Sequence, residues 1–179
     1  DTDGDKKAED QNKDPEFLNP ISGLECTKEI YENRPVAVML NNIKQAMPQV
    51  GISHADIIYE VLEEGGITRL MAVFQDITTA EKIGAIRSAR YPYVDLAMGH
   101  NAIYVHCGQD NTYCAPHLKD TDDIDLMVKN YGVRIKNGLA TEHTLYAYGE
   151  KLWSSVQNDG HKTTASTAAP WVSFAEEDA

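Results

Sequence analysis

Apolar positions along this chain fall in short continuous or alternating runs, the pattern of strands more than of long amphipathic helices. Nothing hydrophobic larger than alanine occurs in residues 1–16, DTDGDKKAEDQNKDPE, so folded structure is expected to begin at FLNPISGL, residues 17–24. Pro35 to Leu40 is a continuous apolar run rich in β-formers, predicting a buried strand that ends at Asn41 and Asn42. The stretch IKQAMPQVGISH has no sustained period and reads as loop. Two β-type runs then flank Gly65-Gly66 in ADIIYEVLEEGGITRLMAVFQD, predicting a tight hairpin on a two-residue turn. That turn sets Glu64 opposite Ile67, Leu62 opposite Arg69 and Glu60 opposite Met71. Arg69 then lies diagonally between Glu60 and Glu64, an ion-pair cluster with a purely structural role.

Further strands are expected at Lys82 to Ile86 and Ala102 to His106. Between them YPYVDLAM reads as a helix, with Ser88 as its cap, Pro92 in its first turn and Gly99 at its end. DDIDLMVKNYG predicts a short helix. HTLYAYGEKLWSSVQNDG predicts a longer one, with Thr144 as cap, Leu145, Tyr148, Leu152 and Val156 on one face, and a stop at Asn158-Asp-Gly160. The last segment looks extended through Trp171 to Phe174, an apolar run that suggests further chain beyond it. Strands alternating with helices, plus one hairpin, make an α/β fold: a mixed sheet with helices packed on it.

Length and composition narrow the functional classes. At 179 residues, 42% of them hydrophobic, the chain fits one domain with a real core. A formal net charge of −12 argues against a duplex nucleic-acid binder and against direct adhesion to anionic lipid. No apolar run approaches the roughly 20 residues of a membrane-spanning helix. The first sixteen residues carry seven acids and three lysines, too polar to bury surface, and read as a disordered acidic tether. Such a tether is what processing of a secretion or lipoprotein signal leaves, although an ordinary floppy terminus has the same composition. Three cysteines leave at least one free thiol; Cys107 and Cys114 can close a small loop in an oxidising compartment.

Against this acidity, KIGAIRSARYPYVDLAMG sets Arg87 and Arg90 three apart where a strand gives way to a helix. Ligands of open α/β sheets bind at the carboxyl ends of strands, and a helix N-terminus offers free amides to an anion. Asn41, Asn42 and His106 also end predicted strands. If those strands run parallel, all these groups, with Ser88, meet at one edge of the sheet. The alternative is that the arginines answer the protein's own acids, such as Glu60, Glu63, Glu64 or Asp95.

His106 and Glu60 are the candidates for acid–base catalysis, given the near-neutral titration of imidazole and a possible carboxylate pair of Glu60 with Glu64. No serine or cysteine nucleophile sits in a recognisable turn, and Cys107 points to the opposite sheet face from His106. His106, Cys107, Cys114 and His117 have the wrong spacing for a structural zinc site, so no metal is expected. No phosphate-binding or dinucleotide fingerprint occurs, so no cofactor is expected. His161 to Thr164 reads as a polar loop.

The segments NPISGL, RPVAVMLNN, PQVGISHADIIYEVLEEGGITRLMAVFQD, KIGAIRSARYPYVDLA, AIYVHCG and DGHKTTAS resemble, in order, the YerB-like family of bacterial lipoproteins, a family of unknown function. The resemblance covers most of residues 19–174. It implies a layered α/β sandwich, expected as β-β-α, over residues 17–179, with a smaller C-terminal domain beyond this chain. It also implies an extracytoplasmic location and a membrane tether through a lipidated N-terminal cysteine. Cys107, Cys114 and Pro116 depart from the pattern, and the family brings no catalytic residues to carry over. Two functions follow as expectations. One is a binding module presenting Arg87, Arg90 and His106 to an anionic small molecule, an envelope component or an acidic protein segment. The other is a hydrolase or transferase acting on a cell-envelope polymer.

Overall fold

The computed structural model describes residues 16–136 and 138–165. The acidic stretch up to residue 15 and the run from Trp171 to Phe174 lie outside the described residues. In chain order the elements are α1 (Lys28–Glu32), β1 (Val36–Asn41), β2 (Ile57–Leu62), β3 (Thr68–Phe74), β4 (Ile83–Gly84), α2 (Tyr91–Gly99), β5 (Ile103–His106), α3 (Cys114–Leu118), β6 (Asp123–Asp125), β7 (Val133–Arg134), β8 (Leu145–Ala147) and α4 (Gly149–Asn158). Five strands form a mixed sheet in the order β2-β3-β1-β5-β6, and three form a small sheet in the order β4-β8-β7. In the large sheet β1 pairs antiparallel with β3 but parallel with β5, and β5 pairs parallel with β6.

Every residue of β1 is buried, which its continuous apolar sequence requires of a central strand covered on both faces. Val36, Val38 and Leu40 face one core together with Ile83, Leu145, Ala147, Leu152 and Val156 from the small sheet and α4. Ala37 and Met39 face a second core with Tyr93, Val94 and Ala97 of α2. The layers are therefore small sheet, large sheet and helix. This is the mixed α/β architecture the sequence implies. Full burial of each large aliphatic side chain contributes about 1.5–3 kcal/mol. Tyr93 adds a polar lock, its hydroxyl donating to the Arg69 carbonyl at 2.5 Å and accepting from the Val61 amide at 3.0 Å.

The hairpin forms, but in a different register. Leu62 pairs with Thr68, Val61 with Arg69 and Glu60 with Leu70. Glu63 N–H donates to the Ile67 carbonyl, so the loop is Glu64-Gly65-Gly66, one residue longer than a two-residue turn. Both glycines have positive φ, 71° and 73°, which is what this sharper path demands. A one-residue shift reverses every facing relation. Arg69 is thus not set between Glu60 and Glu64: it is buried with its guanidinium on the Ser88 carbonyl, Glu64 acts on it only through its charge, and Glu60 accepts from Asn42 and Thr68.

Two expected helices are corrected. The DID of DDIDLMVKNYG is β6, held by parallel pairing to β5, with Ile124 buried in the core. Leu145 to Ala147 is β8, and helix α4 starts only at Gly149 behind Tyr148. Its Leu152 and Val156 are buried as the helical period predicts, and it stops at Asn158. Helix α2 matches its expected span, but its N-cap is Arg90 and not Ser88.

Candidate functional site

Strands β1, β5 and β6 run parallel, so Asn41, His106 and Asp125 end on the same edge of the large sheet. From β1 the chain proceeds to β2 and β3 on one side; from β5 it proceeds to β6 on the other. The junction between β1 and β5 is therefore a topological switch point, where the strands splay and open α/β sheets take ligands. The RSAR segment occupies this junction as a wedge. Arg87 N–H donates to the Met39 carbonyl, Cys107 N–H to the Arg87 carbonyl, and Ala89 N–H to the Gly108 carbonyl. Arg90 then caps α2 with no side-chain acceptor on the helix amides, a cation at the positive end of the helix dipole.

The expected site residues share this edge in their backbones, but their side chains divide. Arg90 turns toward the hairpin tip, its Nε 2.8 and 3.2 Å from the two carboxylate oxygens of Glu64 and 4.0 Å from Glu63 Oε2. Arg87 turns the other way, with its guanidinium 3.3 Å from the Glu142 carbonyl and 3.9 Å from the Glu142 carboxylate. Asn41 donates to His143 Nδ1 at 2.8 Å. Asn42 leaves the site altogether for Glu60, Thr68 and Gln49. Internal acids thus answer both arginines in part, as the structural alternative requires.

A third arginine lies at the junction. Arg69 is only 5% exposed, and its guanidinium donates to the Ser88 carbonyl at 2.6 Å. Burial lowers its pKa to about 10, and the charges of Arg90 and Arg87 push the same way against Glu64 and Glu63. Cations here are crowded more than they are neutralised. Glu63 is the matching anomaly among the acids. Its side chain is 7% exposed, and burial, helped by repulsion from Glu64, raises its carboxyl above the usual range despite Arg69 and Arg90.

Buried polar atoms in folded proteins almost always have partners. Among the described residues four buried side-chain atoms have none within the protein: Ser22 Oγ, Glu63 Oε1, Arg87 Nε and the Tyr104 hydroxyl. Two of the four, Glu63 Oε1 and Arg87 Nε, belong to this junction; the Tyr104 hydroxyl has the backbone of Arg90 as its hydrogen-bond neighbour, short of a formed bond.

The catalytic candidates are otherwise engaged. His106 is 0% exposed, with Nδ1 2.9 Å from the Gly108 carbonyl and Nε2 2.9 Å from Asp123. Both ring nitrogens face acceptors inside the protein, so neither is presented to a substrate. Glu60 is tied to Thr68 and Asn42 on the far side of the hairpin. Cys107 and Cys114 are free thiols on opposite sides of the large sheet, and burial raises both. His117 packs on Tyr91. No cluster of three or more His, Cys, Asp or Glu residues suited to a metal occurs among the described residues.

Comparison with known proteins agrees with this frame. A family model described as the N-terminal domain of a protein of unknown function, DUF3048, matches residues 21–162. The chain belongs to this family. It is 47% identical over 89 residues to the Bacillus subtilis (strain 168) protein named "Putative lipoprotein YerB", an alignment covering 50% of this chain and 27% of that protein. A crystal structure of YerB protein from Bacillus subtilis superposes with a TM-score of 0.75 at 32% identity, covering 83% of this chain and 51% of that one. The chain thus spans about half the length of the solved relative, and its alignment to the curated one spans about a quarter of that protein. The family resemblance read from RPVAVMLNN, RSAR and their neighbours is therefore correct.

The sequence offers Glu63 only as one of several acids that could answer the arginines, because the expected register gives it no inward place. The signal was present: Ile57, Tyr59 and Val61 alternate inward, and Glu63 continues that face. Its raised pKa sets a testable sign. Ionising Glu63 costs more folded than unfolded, so stability is lost as pH rises from the ordinary carboxylate range through the raised folded value. Glu63→Gln is expected to melt on the order of 2 °C above wild type at pH 7, with the gap closing below about pH 4. Calorimetry across that range checks it.

Proposed function

We propose that this chain is the binding domain of an extracytoplasmic lipoprotein, held at the membrane by a lipid anchor, and that it takes an anionic group at the Arg69–Arg87–Arg90 junction. The name of the Bacillus relative supports the lipoprotein part. The observation that carries the binding part is the pair of unpartnered buried polar atoms, Glu63 Oε1 and Arg87 Nε, beside a buried arginine crowded by two others. Guanidinium donors suit carboxylate or phosphate, and the α2 N-terminus adds dipole attraction. The anion belongs to an envelope component, with an acidic protein segment as the other source of the same chemistry. A hydrolase or transferase would require a free acid or base, and His106 and Glu60 are both committed elsewhere.

Thermal unfolding in phosphate against chloride at matched ionic strength tests the proposal. Phosphate is expected to raise the wild-type melting temperature by several degrees. Arg87→Gln and Arg90→Gln are expected to fold and to lose that rise. If phosphate, sulfate and acetate all leave wild type unchanged, the junction is a structural ion network and the proposal fails.

A further inference from the structure

The orphaned atoms at the junction are of opposite character. Arg87 Nε is a donor without an acceptor, and Glu63 Oε1 is an acceptor without a donor. A bare anion answers the first and is repelled by the second. Glu63 has cations near it but no hydrogen bond from them at this oxygen. Arg90 gives its Nε–H to Glu64 and lies 4.0 Å from the other Glu63 oxygen, while the Arg69 guanidinium donates to the Ser88 carbonyl. A buried carboxylate oxygen without a donor is costly and is rarely left so. The position is also built in by the fold. Inward alternation along β2 and the three-residue loop after it turn Glu63 into the α2 layer while Glu64 stays at the surface.

We propose that the ligand at this junction is an anion carrying its own hydrogen-bond donor, a hydroxyl or an ammonium on a short spacer, and that Glu63 Oε1 receives that donor while the arginines hold the anionic group. The inference rests on the anion-binding function proposed above. Arg90 Nε lies 4.0 Å from the other oxygen of the same Glu63 carboxylate, so an anionic group held at Arg90 and a donor on Glu63 Oε1 are within the reach of a two-carbon spacer. Hydroxylated or aminated phosphate esters and carboxylates fit better than anions that carry no donor, which the arginines still hold more weakly.

Isothermal titration at pH 8, where phosphate monoesters are fully ionised, compares ethyl, 2-hydroxyethyl and 2-aminoethyl phosphate, which differ only at the terminal group. Propanoate, 3-hydroxypropanoate and 3-aminopropanoate form the carboxylate arm, and a donor preference in either series supports the assignment. Wild type is expected to favour the donor-bearing members about tenfold, the scale of one hydrogen bond to a charged group. In Glu63→Met the ratio falls to about one. Glu63→Gln, which keeps an acceptor but no charge, retains preference for the hydroxyl and loses most of it for the ammonium. Equal binding of all three esters and all three acids by wild type overturns this inference and leaves the anion site standing. Binding of none overturns the anion site itself.

Discussion

Replacing His106 with alanine is expected to lower stability by about 3 kcal/mol, a fall of roughly 6–12 °C in melting temperature for a chain of this size. The ring is fully buried at the end of β5, 5.3 Å from the ring of Tyr104, and it bridges the Gly108 carbonyl to Asp123 on β6. Removal leaves a cavity and a partly buried carboxylate without its donor, and takes one of two donors from the Gly108 carbonyl, which keeps the Ala89 amide. Asp123→Asn is expected to cost less, because Asp123 is partly solvated and an amide still accepts from the ring. Urea unfolding of the two variants checks the order. A His106→Ala protein of wild-type stability would mean that the imidazole is not the pin between β5 and β6.

Arg69→Ala is the second large effect, also about 3 kcal/mol, with loss of the phosphate response. The side chain is buried along its stem as well as at its head, so alanine creates a void and strips the donor from the Ser88 carbonyl. Arg69→Met separates the two contributions. It restores most of the volume and removes a cation that Arg87 and Arg90 already disfavour, so roughly half of the stability is expected to return. The phosphate response is not expected to return. If Met restores both, Arg69 serves packing alone.

The strands at Val36–Asn41 and Ile103–His106 were legible because an apolar run bounded by polar residues has few other solutions. Helix α2 was legible from Pro92 and Gly99. The failures share a physical cause. LEEGG is compatible with either a two- or a three-residue loop, and only packing of Tyr59 and Val61 against the α2 core, with burial of Arg69, decides between them. The segment DDIDL satisfies period 2 and period 3.6 equally well over so few residues. It becomes β6 because the Tyr104 amide donates to Asp122 and the Leu126 amide to the His106 carbonyl, contacts far apart in sequence. For the site, Arg87 and Arg90 were visible as cations at a strand-to-helix junction. Glu142 and His143 were not, since a loop 55 residues away in sequence from Arg87 carries no local sign of where it folds back.

The arginine junction is tested most directly by the side-chain Nε–H resonances of Arg69, Arg87 and Arg90 in a proton–nitrogen correlation spectrum. The assignments come from single Arg→Gln variants, and the protein is titrated with 2-hydroxyethyl phosphate. The anion site predicts saturable shifts of the Arg87 and Arg90 resonances with one shared dissociation constant, and slowed solvent exchange at Arg87 Nε as its donor gains an acceptor. Resonances that stay fixed, or drift only in proportion to ionic strength, would contradict it.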